Sequence, residues 1–440
     1  MTALLDPAFL GAAMVLTFMT LIMTKRMSAI AALLVIPILF GLVAGAGPQL
    51  GEMIIKGVLQ VAPTALLLAF AVLYFAFMMD AGLFAPLVRR VLALVRDDPV
   101  RISLGTAALA AIVSLDGDGT TTVLIVITAF LPVYRRVGMN PLILATLLGL
   151  ANSLMNLLPW GGPSARAAAA VQADLEEVVG PLLPGLAAGL VATFLLAWRF
   201  GMTERRRLEW SPSVAGTRPP VLLEEDEATL AARRPKLFFF NLALTGALVA
   251  GMILGLAPLP VLMMAAFAIA ATVNYPRLAD QKARIAAHAD NVVQIVLLIF
   301  AAGAFTGILN GTGMSDAMAS AALSVLPPSV GPYLAPITAL ASMPLTFLMS
   351  NDAYYFGVVP VVAKAAAVFG IDPTAIARAS LIGQPVHALS PLLAPIYLAC
   401  GLLKVDVADA QRFSLKWAVL VCLVVLAVTL ATGGIPLRAE

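Results

Sequence analysis

Apolar residues fill most of this chain in long runs, and the breaks between those runs recur. Ten runs are long enough for membrane-spanning helices: 8–24, 28–46, 57–79, 141–173, 181–201, 237–256, 258–275, 289–310, 373–403 and 413–433. Two of them are split midway. The first split is Leu157-Leu158-Pro159-Trp160-Gly161-Gly162-Pro163, and the second is Leu389-Ser390-Pro391-Leu392-Leu393-Ala394-Pro395. Segments 99–136 and 331–369 are apolar, polar at the centre, then apolar again, with arms too short to cross comfortably. They predict re-entrant helical hairpins that meet near the bilayer midplane, where irregular backbone survives only under cover of protein or a water-filled cavity. The polar centres read Ser114-Leu115-Asp116-Gly117-Asp118-Gly119-Thr120-Thr121-Thr122 and Met349-Ser350-Asn351-Asp352-Ala353-Tyr354-Tyr355.

One register relates the two sets. Pro373 follows Pro141, Pro391 follows Pro159 and Pro395 follows Pro163, each by 232 residues. The same offset carries Asp118, Gly119 and Thr120 onto Ser350, Asn351 and Asp352. Polar, glycine-rich breaks at matched positions of two repeats point to a transporter's binding site. Each half holds five spans, an odd number, so the second half is expected to insert upside down. The expected division is a first inverted repeat over 1–201, a solvated connector over 202–236 and a second repeat over 237–440. Pro219-Pro220 and the acid run Glu224-Glu225-Asp226-Glu227 mark the connector. Stretches 84–97 and 314–325 read as amphipathic helices lying at the interfaces.

Composition agrees with many spans. The hydrophobic fraction is 61%, the charged fraction 12%, and the mean hydropathy +0.99, against about 25% charged residues in soluble domains. The runs are too long and too evenly apolar for alternating barrel strands, so the fold class is all-α, polytopic and membrane-embedded. Net charge is only +3, but its placement is informative. Of the 27 Lys and Arg, all but Lys56, Arg166, Lys364, Arg378 and Arg438 fall on one side of this topology. That side is expected to be cytoplasmic, with both termini outside, the first hairpin entering from the cytoplasm and the second from outside. The N-terminus lacks a leader's basic region and cleavage site, so Phe9 to Thr24 reads as the first span. The two cysteines, Cys400 and Cys422, suggest neither a disulfide framework nor a metal cluster.

Candidate chemistry gathers at the breaks. Asp116, Asp118 and Asp352 occupy the hairpin tips, where a carboxylate costs about 2.5–3.5 kcal/mol on insertion scales and marks an ion or proton path. The plainer role for such an aspartate is a helix cap. Thr120, Thr121 and Thr122 offer hydroxyls to a ligand or to the preceding turn. Arg166 lies just past the first break, where a helix N-terminus and a guanidinium would hold a carboxylate or phosphate. It could equally form a structural ion pair with Asp116 or Asp118. Asn152 and Asn156 share a helix face leading into that break. Gln384, His387 and Ser390 lead into the second, and His387 could relay protons or bind a carboxylate. Tyr354 and Tyr355 line the chamber or pack the hairpin, and His288 reads as an ordinary residue near a span end. No phosphate loop, zinc-ligand spacing or nucleophile triad is found, and nothing supports nucleic-acid binding.

The strings "SLDGDGTTT", "NLLPWGGPSARAA" and "MSNDAYYFG" resemble those of the citrate–metal–proton symporter family (CitMHS), within the ion transporter superfamily. Hydropathy extends the likeness over nearly all of the chain. The divalent anion/sodium symporters carry Ser-Asn-Thr at each tip, whereas here the tips read Asp118-Gly119-Thr120 and Ser350-Asn351-Asp352. The extra carboxylates suit protons or a substrate that brings its own metal. The resemblance implies import of citrate complexed to magnesium or calcium, with protons, and no permanently bound cofactor. It also implies an elevator-type transporter of the cell inner membrane, a homodimer with a fixed scaffold and a mobile domain holding both hairpins. In that reading Thr120, Thr121, Asn152, Asn156, Gly161, Gly162, Arg166, Ser350, Asn351, Tyr354, Gln384, His387 and Ser390 bind substrate. Ser114, Asp116, Asp118, Gly119 and Asp352 couple ions or protons, the three aspartates also meeting the metal. A sodium-coupled carboxylate or sulfate carrier and a cation/proton antiporter remain open. So does a membrane aspartate protease using Asp116 and Asp118, although those acids sit on one loop rather than two segments.

Overall fold

Many helices in the computed structural model, such as Pro7–Met23, Pro99–Val113 and Pro141–Met155, begin where a proline and a short polar side chain settle the first turn. The structure describes residues 6–95, 97–116, 119–210, 231–325, 327 and 329–439. The first half contains α1 (Pro7–Met23), α2 (Ala29–Val43), α3 (Leu50–Asp80), α4 (Ala85–Val95), α5 (Pro99–Val113), α6 (Gly119–Val137), α7 (Pro141–Met155), α8 (Gly162–Val171), α9 (Leu175–Val179) and α10 (Leu183–Arg207). The second begins with α11 (Phe238–Ile253), α12 (Leu259–Asn274), α13 (Leu278–Gly311), α14 (Met314–Val325) and α15 (Leu334–Leu348). Next comes α16, built from Asn351–Ala353, a π-helical stretch Tyr354–Val358 and Val359–Ala367. Then follow α17 (Pro373–Leu381), α18 (Gln384–His387), α19 (Ala394–Leu403) and α20 (Val407–Ala431).

The 232-residue register reappears in the backbone. Helix α6 starts at Gly119 and α16 at Asn351; α7 starts at Pro141 and α17 at Pro373; α8 starts at Gly162 and α19 at Ala394. Asn140 caps α7 through the Leu142 N–H, and Asp372 caps α17 through the Thr374 N–H; each such cap is worth about 1 kcal/mol. Matched stops follow matched starts. Gln172 and Lys404 end α8 and α19 in the left-handed region, at φ 55° and 59°.

Packing sorts the helices into two groups. In one, α3 lies along α13 and α12, and α2 along α13. Here two backbones meet almost directly: a Cβ on Gly57 would sit 2.0 Å from the Gly303 carbonyl oxygen, and one on Gly307 2.3 Å from that of Met53. Small residues at such a crossing let helices approach closely where no hydrophobic drive exists between helix and lipid. In the other group α5 packs on α10 and α7, α10 on α20, and α15 on α17. Helices α5 and α6 fold back on each other, as expected for 99–136. Helices α4 and α14 precede the two hairpins. Asp97, in the turn between α4 and α5, meets Arg136 on α6, and Asp316 on α14 meets Lys364 on α16 at 2.9 Å.

Several boundaries differ from the hydropathy reading. Helix α3 starts at Leu50 rather than 57, and α13 at Leu278 rather than 289. Hydropathy loses both where polar residues begin, yet those residues still form helix. In α13 they are used: Arg284 and His288 lie 3.5 and 2.9 Å from Asp80 at the end of α3. Helix α10 runs on into the expected connector to Arg207, held by bidentate Arg205–Asp98 contacts of 2.8 and 2.6 Å and by Arg207–Glu204. Pro219-Pro220 and the acid run lie outside the described residues. Among those described, six stretches are long and apolar enough to cross a membrane: 47–80, 119–137, 175–207, 235–252, 278–311 and 407–431. The 119–137 arm, read as short, is therefore 19 residues of crossing length. The remaining apolar helices are shorter.

Candidate substrate site

Four helix starts surround one cavity. Gly119 at the head of α6, Gly162 and Pro163 at the head of α8, Asn351 at the head of α16, and Leu393 and Pro395 at the head of α19 all line it. These are two pairs related by the 232-residue register. The first turns of α8 and α19 carry no side-chain cap, so their N–H groups and the positive ends of their dipoles are available to an anion. The cavity measures about 270 Å³.

The first break is shaped by backbone approach. At Gly161, the N-cap of α8, an added Cβ would stand 1.7 Å from the Asn156 carbonyl oxygen, so only glycine fits. Ser164 donates to the Leu157 carbonyl at 2.9 Å, closing the turn from inside. The Trp160 indole donates to the Leu115 carbonyl at 2.9 Å, fastening the break to the first hairpin tip, and its ring meets Phe75 of α3 at 5.1 Å.

On this frame the cavity wall displays amides and one formal charge. Arg166 is the only charged side chain among the described lining residues. Its Nε donates to Asp352 Oδ1 at 2.7 Å, and the two side chains keep 19% and 20% of their surface exposed. The partners expected from sequence were Asp116 and Asp118. Gly117 and Asp118 lie outside the described residues, and only the backbone of Asp116 is described, in the 3-10 turn Ser114–Asp116. Asn156 Nδ2 donates to Asn152 Oδ1 at 3.4 Å, leaving Asn156 Oδ1 buried with no hydrogen bond. Gln384 donates to Asn351 Oδ1 at 3.0 Å and to the Tyr355 hydroxyl at 2.8 Å, joining the second break to the second tip. His387 places Nδ1 2.5 Å from the Thr346 carbonyl, a contact that requires the proton on Nδ1. Its Nε2 is buried, unpartnered and on the cavity wall.

Thus Gly119, Asn152, Asn156, Gly162, Arg166, Asn351, Gln384 and His387, all named from sequence, line one cavity. Other expected residues serve the frame and do not line the cavity. Ser114 back-bonds to the Ala110 carbonyl at 2.6 Å. Ser350 caps α16 through the Ala353 N–H. Ser390 donates to the Phe347 carbonyl and accepts from the Leu392 N–H. Tyr354 is buried edge-on against Tyr355. Thr120 and Thr121 stand in the first turn of α6; Thr122 is buried with an unpaired hydroxyl. Among the described residues no group of three or more His, Cys, Asp or Glu could hold a metal ion.

Asp352 faces a second cavity of about 540 Å³, which Arg166 also lines. Its other polar residues, Ser28, Asn291 and Gln294, were not singled out from sequence. The signal was there: Asn291 and Gln294 stand three apart, on one face of an apolar helix.

The chain matches the citrate transporter family (CitMHS) over residues 18–383. It is 50% identical over 417 residues to a protein of Bacillus subtilis (strain 168) named citrate transporter, covering 94% of this chain and 95% of that one. It is 47% identical over 431 residues to the Mg(2+)/citrate complex secondary transporter of the same organism, covering 97% and 99%. In fold it is similar to the Alcanivorax borkumensis YdaH transporter, with a TM-score of 0.62 at 12% identity, covering 98% of this chain and 100% of that one. With cavity, broken helices and family in agreement, this multi-pass membrane protein is a transporter, not an enzyme, and it belongs to the citrate transporter family.

Proposed function

We infer that the chain imports citrate as a complex with a divalent cation, of the magnesium or calcium type, together with protons. The observation that carries this reading is the cavity itself. Its one charged described residue is a cation, flanked by amides and by two uncapped helix starts. That set suits the carboxylates and hydroxyl of an anionic substrate. A volume of about 270 Å³ suits a small metabolite. The Mg(2+)/citrate relative supports the metal.

Charge accounting supports the proton. A citrate trianion with a divalent cation carries one net negative charge. Arg166 and Asp352 cancel, so one proton would neutralise the loaded set. His387 is the residue placed to take it. With Nδ1–H held by Thr346, Nε2 accepts a proton from the cavity and then donates to a carboxylate. A neutral load crosses low dielectric at least cost.

The motion we propose is an elevator. The group around α3, α12 and α13, locked at its glycine crossing, would stay fixed. The group carrying both hairpins and both broken helices would move, its halves being inverted repeats over 1–201 and 237–440 joined by 202–236. Both termini would lie outside the cell's inner membrane. A homodimer is supported by α3, which leaves Glu52, Lys56 and Gln60 exposed beside Ile55 and Leu59. A second copy would cover the exposed Ile55 and Leu59 and give the polar side chains beside them partners.

Ligand-induced stabilisation of the purified protein tests the substrate assignment. Magnesium citrate and calcium citrate should raise its melting temperature as binding to the folded state requires, and sulfate should not. Equal stabilisation by sulfate, or none by either citrate complex, would overturn the reading.

A further inference from the structure

Two polar cavities share a wall, and that wall is the Arg166–Asp352 ion pair. Arg166 lines both, whereas Asp352 lines only the second, beside Ser28, Asn291 and Gln294. The pair joins α8 to the first turn of α16, bridging the first broken helix and the second hairpin. It uses only part of the guanidinium. Nε binds Asp352 Oδ1, and among the described residues neither Nη has a partner. Nη1 lies beside Gly162, at 2.8 Å from where a Cβ would stand, on the substrate-cavity side. A carboxylate arriving in that cavity therefore meets, among the described residues, two donors that Asp352 does not use.

We propose that this ion pair is an exchangeable latch: a substrate carboxylate takes Arg166, and the released Asp352 becomes a ligand for the divalent cation that accompanies it. This rests on the functional reading above. In the empty protein the latch cancels both charges, so the unloaded domain can return without carrying an unpaired arginine through low dielectric. In the loaded protein each half of the cargo satisfies one half of the pair. Citrate alone would free Asp352 without a partner, and the cation alone would strand Arg166. The two must bind together, which makes the complex the preferred substrate over free citrate. A partly exposed pair suits this role, because it is strong enough to hold and weak enough to exchange.

Calorimetric titration of the purified full chain with citrate, with and without magnesium, tests the latch. Asp352→Asn removes the competing charge at nearly constant shape. Magnesium-free citrate should then bind about tenfold more tightly than to wild type, and the advantage given by magnesium should shrink. Asp352→Ser, which cannot hold Arg166 through a carboxylate, should behave the same way and stands in if the asparagine variant does not fold. Lost magnesium preference with no gain in magnesium-free affinity would make Asp352 a simple cation ligand and overturn the latch. So would an intact magnesium preference, or failure of both variants to fold, which would mark the pair as a structural tie. A wild type that binds citrate under neither condition would overturn the functional reading, and the latch with it.

Discussion

A methyl group added at Gly161 would collide with the chain's own backbone. In Gly161→Ala the new Cβ would stand 1.7 Å from the Asn156 carbonyl oxygen, 2.5 Å from its carbonyl carbon and 3.1 Å from the Leu158 carbonyl oxygen. Ordinary contact needs about 3.5 Å, so the Asn156 carbonyl must retreat by well over 1 Å. It cannot swing away as a side chain would, because it belongs to the last turn of α7, where the Asn156 N–H bonds to Asn152 at 2.9 Å. Retreat therefore drags Asn152 and Asn156 along the cavity wall and shifts the start of α8, one turn before Arg166. Overpacking costs about 1–3 kcal/mol in ordinary cores, and a backbone contact belongs at the upper end. Spread over binding, that is roughly ten- to a hundredfold in affinity. Calorimetric binding of magnesium citrate to the purified variant, with its melting temperature as a check of folding, measures it. Gly162→Ala is the control for stability, since its Cβ meets only the tip of Arg166. A Gly161→Ala variant that binds as well as wild type would refute the claim that this break positions the site.

Three further outcomes are expected. Arg166→Lys should weaken magnesium citrate binding, since a point charge cannot copy the fork; Arg166→Ala should do worse, by about ten- to a hundredfold, read by calorimetry. His387→Gln should leave citrate bound but remove the response of uptake to a proton gradient, and an unaltered response would take His387 off the proton path. Gly57→Ala should lower the melting temperature, because its Cβ meets the Gly303 carbonyl rather than a movable side chain, at a cost of about 1–3 kcal/mol; retained stability would mean that α3 and α13 can separate freely.

What the sequence disclosed and what it hid follow from the range of each interaction. Local devices were legible. The prolines at 141 and 373, the glycines at 161 and 162 and the polar tips act on their own backbone, so their positions announce the helix starts and breaks that the structure shows. The cavity wall was legible for the same reason, as Asn152, Asn156, Gln384 and His387 sit beside those breaks. Pairings across the fold were not. Sequence offered Arg166 the nearby Asp116 or Asp118 as ion-pair partners, and 186 residues separate it from Asp352. Ser350 and Ser390 read as ligands because serine serves caps and ligands alike, and only the fold shows their hydroxyls engaged with backbone. Helix ends carrying charge, such as Leu278 to His288, were missed because hydropathy registers lipid rather than helix.

Uptake of labelled citrate into proteoliposomes, with magnesium, sodium and the proton gradient varied one at a time, tests the central claim most directly. The account predicts uptake that needs a divalent cation, rises with an inward proton gradient and ignores sodium. Uptake driven by sodium and indifferent to magnesium would contradict it.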